Sequence, residues 1–151
     1  MTDYNQKALA LFSEGYNCAQ SVLGAFAGDI GIPLRTALRL TSGFGGGISR
    51  QGEVCGAVSG AVMVLGFALG SSDPEDQEAN EHTYALVQQF LRTFSEKHTH
   101  VRCCDLLGSP IDSPEKLQKV RDQDLFHTIC PHLVGDAAAI AGVILAEENF
   151  S

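Results

Sequence analysis

The sequence predicts an all-α fold: one compact helical-bundle domain over residues 1–151, with a glycine-rich loop ahead of a buried central helix. Three observations point there. Every segment with a clear hydrophobic period repeats at helical spacing, no stretch alternates long enough to anchor a sheet, and 151 residues suffice for one ordinary core but not two.

Tyr4, Ala8, Leu11 and Phe12 share one face of a first helix, which Gly15 ends. Asn17 caps a second helix carrying Val22, Leu23 and Phe26. Pro33 opens a short apolar segment, Leu34 to Leu40, which runs into a glycine loop over residues 42–53. Nine of the 16 glycines fall between Gly43 and Gly70, which concentrates close backbone approach in that region. The apolar run Val54 to Gly70 has 17 residues, whereas a membrane span needs roughly 20. Acidic Glu53 and Asp73 flank it, so a buried core helix is expected rather than membrane insertion. Within it, Gly56 and Gly60 stand one turn apart and admit a neighbouring helix.

Asp73-Pro74 reads as an N-cap followed by proline at the first helical position, with Glu75 and Asp76 at the positive end of the helix dipole. Thr83, Val87, Phe90, Leu91 and Phe94 form the inward stripe of that helix, and His98 extends it as a satisfied core histidine. Ser113-Pro114 starts one short helix within the polar stretch 109–123. The last helix begins at Pro131 and runs through Leu133, Ala137, Ile140, Ala141, Ile144 and Leu145.

Ten Lys and Arg against 18 Asp and Glu leave a net charge of −8. That field repels phosphate backbones, so no nucleic-acid partner is expected, while a basic patch on a redox partner protein would suit it. The oligomeric state stays open, a homodimer included. Residues 1–7 lack a basic segment leading into an apolar one, so a reducing cytoplasm is expected and disulfides are a secondary reading of the cysteines.

The five cysteines are Cys18, Cys55, Cys103, Cys104 and Cys130, and no two have Cys-x-x-Cys spacing. Taken singly, each reads as a small buried hydrophobe. Their contexts point further. Cys18 follows the cap Asn17, Cys55 opens the apolar helix, Cys130 precedes Pro131, and Cys104 heads the turn Cys104 to Gly108. Helix starts offer unpaired amides and the positive end of the dipole, which stabilise the thiolate that ligates metals or attacks disulfides.

The glycine loop lacks both a P-loop and a Gly-x-Gly-x-x-Gly pattern, since Glu53-Val54 stands where Lys and Ser/Thr are required. Its backbone, Gly46 and Gly47 included, can still point amides at a bound group. Arg50 and Glu53, the charges nearest Cys55 in sequence, oppose one another. His127, near Cys130, reads first as a surface residue.

Tyr16-Asn-Cys18-Ala-Gln, Phe44-Gly-Gly-Gly-Ile, Gly52-Glu-Val-Cys55-Gly-Ala-Val-Ser-Gly60, Cys104-Asp-Leu-Leu-Gly108 and Cys130-Pro together resemble the redox-active family labelled C_GCAxxG_C_C. The resemblance covers roughly Tyr4 to Glu147. It implies four signature cysteines at Cys18, Cys55, Cys104 and Cys130, with Cys103 as the departure from the pattern. It also implies kinship with the helical domain of split-Soret cytochromes, for which an iron–sulfur cluster has been proposed. No Cys-x-x-Cys-His occurs, so covalent haem is not expected.

Three functions follow as expectations. In the first, Cys18, Cys55, Cys104 and Cys130 hold a small iron–sulfur cluster, most simply [2Fe–2S], with Gly46 and Gly47 contributing backbone contacts; the ligand count favours it. In the second, no cofactor is present, Cys55 attacks a disulfide, and Cys104 or Cys130 resolves it. In the third, the same cysteines bind zinc or copper(I) in a structural or carrier module. The cluster and carrier readings require the sulfurs of Cys18, Cys55, Cys104 and Cys130 to gather in one pocket, whereas the dithiol reading needs only two of them.

Overall fold

The structure is a computed structural model describing residues 2–150. Helix α1 (Tyr4–Ser13) starts where the Asp3 carboxylate accepts the Gln6 N–H at 3.0 Å. Helix α2 (Cys18–Ile30) begins with a reciprocal cap: the Gln20 N–H donates to Asn17 Oδ1 at 2.8 Å, and the Asn17 N–H donates to Gln20 Oε1 at 2.9 Å. Helix α3 (Leu34–Leu40) follows Pro33 and passes into a single 3-10 turn, Ser42–Phe44. After the glycine loop come α4 (Gly56–Leu69), α5 (Gln77–His98), α6 (Cys103–Leu107), α7 (Pro114–Asp122), α8 (Leu125–Thr128) and α9 (Cys130–Glu147). Among the described residues the β pairing amounts to one isolated antiparallel bridge, Val54 to Arg102. The protein is all-α, as its periodicity predicts.

Helix α4 is the centre of the larger core. It buries Ala57, Val58, Ala61, Val64 and Leu65 and packs against α2, α5 and α9. Gly60 makes the α2 contact as close as it is: a Cβ there would lie 2.9 Å from the Ala19 carbonyl oxygen and 3.1 Å from Val22 Cβ. On the far side of α2, Tyr4 stacks on Phe26 with ring centroids 3.9 Å apart and donates its hydroxyl to Asp29 at 2.6 Å, fixing α1. A smaller apolar cluster forms where Leu107, Ile111, Leu117 and Val120 meet Cys103 and Cys130. Cys18 packs against both clusters, so the cysteines stand at the seam between them.

Two local expectations change. The helix after Asp73-Pro74 begins three residues later than expected, at Gln77, with Asp76 as the cap that accepts the Ala79 N–H at 3.1 Å. Asp73 instead closes a local turn by accepting the Glu75 N–H at 2.9 Å, so Pro74 sits in the turn and not in the helix. The buried stripe of α5 is Leu86, Phe90 and Phe94, with Val87 and Leu91 half-buried beside it. His98 does extend it, its ring tilted against Phe94 and its Nε2 2.9 Å from Asp136 on α9. By length and composition the segment Leu125–Glu147 is apolar enough to cross a membrane, and half of its apolar 18-residue window is buried within the protein.

Candidate functional site

Four cysteines arrive at one place from four helix starts. Cys18 opens α2, Cys55 is the residue that precedes α4, Cys103 opens α6 and Cys130 opens α9. All four line a single open cleft of about 960 Å³, with Asn17 and the backbone of Gly45, Gly46 and Gly47 along it. Three of these cysteines are the ones expected there.

Cys104 is not, and the reason is geometric. Neighbouring residues on a helix diverge by about 100°, so Cys103 and Cys104 cannot both face the cleft. The backbone decides between them. The Cys103 N–H donates to the Glu53 carbonyl at 2.7 Å, the Cys104 N–H to the Gly52 carbonyl at 3.2 Å, and the Cys55 N–H to the Val101 carbonyl at 2.8 Å. This clasp ties the start of α6 to the end of the glycine loop and turns Cys103 inward, where it is buried, while Cys104 stays half-exposed with its Sγ 3.9 Å from Asp105 Oδ1. The expected placement of Cys104 in the pocket is therefore corrected to Cys103.

The glycine loop follows an uncommon path. Gly46, Gly47, Ile48, Ser49 and Arg50 have φ values of 68°, 66°, 62°, 50° and 65°, a run of consecutive residues in the left-handed region. For the three non-glycine residues this costs roughly 1–2 kcal/mol each. Cross-loop hydrogen bonds offset it: the Arg50 N–H donates to the Gly45 carbonyl at 3.0 Å, the Gly52 N–H to Gly46 at 3.1 Å and the Glu53 N–H to Gly47 at 2.9 Å. At Gly47 a Cβ would fall 2.6 Å from both Cys103 Cβ and the Glu53 carbonyl oxygen, so only glycine lets the loop lie against that cysteine. The N–H groups of Gly45, Gly46 and Gly47 donate to no backbone carbonyl among the described residues, and they belong to the lining of the cleft.

Electrostatics separates the four thiols. Burial pushes Cys55 up to about 11, against the opposing pull of the Ala57 and Val58 amides at the start of α4. Burial, then the neighbouring Cys55, Cys130 and Cys104, pushes Cys103 up to about 12. Cys18 and Cys130 act as a pair: the neighbouring Cys130, then burial, raises Cys18 well above the ordinary thiol value, and Cys18 in turn lowers Cys130 in spite of its burial. The helix starts therefore do not make thiolates of all four: desolvation outweighs the dipoles at Cys55 and Cys103, and the interaction with Cys130, then desolvation, does so at Cys18. Cys130, not Cys55, ionises first.

Among the described residues no group of three or more His, Cys, Asp or Glu side chains could hold a metal ion. His127 lines the cleft, but its Nδ1 is 2.7 Å from Asp124 and its ring is exposed. Glu53, expected to oppose Arg50 near Cys55, faces Arg102 at 3.6 Å instead.

The family described as putative redox-active protein (C_GCAxxG_C_C) matches residues 16–144. The chain belongs to this family. The matched span runs from the residue before Asn17 into the last turns of α9, so the C_GCAxxG_C_C match contains the glycine loop and every cysteine described above. Redox activity is the functional statement that this membership supports. Comparison with curated proteins and with solved structures returned no match.

Sequence reasoning missed two groups in this C_GCAxxG_C_C site. Cys103 was masked by its neighbour, whose Asp-Leu-Leu-Gly context draws the eye; the signal that could have separated them, an inward face for the first helical residue, depends on the Val54–Arg102 bridge. Arg121, on α7, lines the cleft from the far end of a polar segment with no linear relation to any cysteine.

Proposed function

We propose that Cys18, Cys55, Cys103 and Cys130 hold a small iron–sulfur cluster, most simply [2Fe–2S], and that the protein transfers electrons through it. The observation that carries this reading is the meeting of four thiols, from four helix starts, along one cleft at the seam of the two apolar clusters. Isolated buried cysteines would be scattered through a core; these line one cleft and repel one another as they ionise. A bound cation reverses that repulsion and makes every thiolate favourable.

Four cysteine thiols are the donor count of a small cluster. A [2Fe–2S] centre divides four cysteines between two irons. When bound, it supplies a one-electron couple. The protein's own part is to exclude water with the two apolar clusters and to direct the Gly45, Gly46 and Gly47 amides at the sulfurs, which raises the potential of a negatively charged centre.

A second reading rests on the Cys18–Cys130 pair alone. The Cys130 thiolate would attack a substrate disulfide, forming a mixed disulfide and expelling one substrate thiolate, which takes the proton released by Cys18. Cys18 would then attack the Cys130 sulfur and expel the second thiolate. The protein gains one disulfide and the substrate is reduced by two electrons.

Anaerobic reconstitution with ferrous iron and sulfide tests the first reading: about two irons and two acid-labile sulfides per chain are expected. Failure to take up iron, together with a Cys18–Cys130 disulfide after mild oxidation, would favour the second.

A further inference from the structure

The mouth of the cysteine cleft has the wrong charge for this protein. The chain as a whole carries −8, yet the ionisable residues lining the cleft, apart from cysteine and tyrosine, are Arg50, Arg121 and His127, with no carboxylate among them. His127 is turned to Asp124. Arg50 and Arg121 are exposed and form no ion pair among the described residues.

Arg50 is also the last of the left-handed residues, at φ 65°. Glycine would hold that backbone without strain, so what arginine adds is its side chain, carried to the cleft by a loop that costs energy to form. The same cleft is lined by Gly45, Gly46 and Gly47, whose N–H groups have no backbone acceptor among the described residues. Two planar cations, unpaired amides and no opposing acid form a receptor for oxyanions.

We propose that the mouth of the cleft binds a small molecule bearing two or more anionic oxygen groups, carboxylate or phosphate, and holds it above the cysteines. The proposal is one of binding alone and does not depend on which chemistry the cysteines below perform. A concave site of about 960 Å³ is at the upper end of the range for small-molecule clefts, roughly 300–1,000 Å³. An acidic protein segment is disfavoured, because the rest of a chain with charge −8 would repel its carrier at long range, whereas a small anion enters beneath that field.

Calorimetric titration of the full-length, reduced protein with citrate and, separately, with inorganic pyrophosphate tests this, on both the metal-free and the iron-reconstituted forms. Binding of at least one anion with a Kd below about 1 mM is expected, weakening about tenfold in R50Q/R121Q and falling as salt rises. Citrate alone assigns carboxylate ligands, pyrophosphate alone phosphate ligands. Absence of binding in both forms would overturn the proposal, as would unchanged affinity in R50Q/R121Q, or binding of hexaglutamate in preference to both small anions. Iron uptake is read separately in the same samples, so loss of the cluster reading and loss of the anion site are distinguished.

Discussion

At the scale of single residues, the site depends on which of two adjacent cysteines faces inward and on how one proton is shared. The clasp between Cys103 and Glu53 settles the first: Cys103 is buried and Cys104 half-exposed. The Cys18–Cys130 contact settles the second, by lowering Cys130 while burial raises Cys55 and Cys103. Cys130 should therefore be the first of the four cleft cysteines to be alkylated by iodoacetamide at neutral pH in the metal-free protein, as read by peptide mass spectrometry. Prior labelling of Cys55 would contradict the pairing. Cys18, Cys55 and Cys130 were legible as a group because each adjoins a recognisable helix start. The choice of Cys103 over Cys104 was not, since it depends on a hydrogen bond to a residue 50 positions away.

At the scale of elements, the glycine loop and the four helix starts are one device. The capping box of α2, the cap and proline of α7 and the proline of α9 follow from local chemistry that a sequence displays. The left-handed run from Gly46 to Arg50 does not, because Ile48, Ser49 and Arg50 are poor candidates for positive φ and are held there by cross-loop bonds. Competition between caps likewise displaced the start of α5 from Pro74 to Gln77. Gly47→Ala would force a Cβ to within 2.6 Å of Cys103 Cβ at a left-handed position. It should lower stability by about 1–3 kcal/mol in urea unfolding and reduce iron uptake more than its stability loss explains. Full iron uptake by a destabilised Gly47→Ala protein would show that the loop serves packing alone.

At the scale of the whole molecule, the helical periods and the glycine spacing of α4 were enough to read an all-α core, and Gly60 against Ala19 and Val22 gives the spacing its physical cause. What length and composition could not convey is that the thiols stand at the seam of two apolar clusters. That position has a thermodynamic consequence for the metal-free protein. The folded-state values of about 11 for Cys55 and about 12 for Cys103 lie above the ordinary thiol value of 9.0, so between them the unfolded chain binds fewer protons than the folded one. Stability from these two groups is fully present below about pH 9 and is lost as pH rises through 11 and 12. Cys18 acts in the same direction, while the lowered Cys130 acts in the opposite one as pH falls through its folded value. The Tm of the metal-free wild type should fall more steeply above pH 9 than that of C55S/C103S, measured side by side. Parallel profiles would show that these thiols are not desolvated in the folded protein.

The most direct measurement compares wild type, C103S and C104S after anaerobic reconstitution, by visible absorption with iron and acid-labile sulfide determined on the same samples. The site described here predicts charge-transfer bands and matched iron and sulfide in the wild type and in C104S, with both lost in C103S. Bands lost in C104S but kept in C103S would place the wrong cysteine in the cleft, and a wild type that takes up neither iron nor sulfide would contradict the cluster itself.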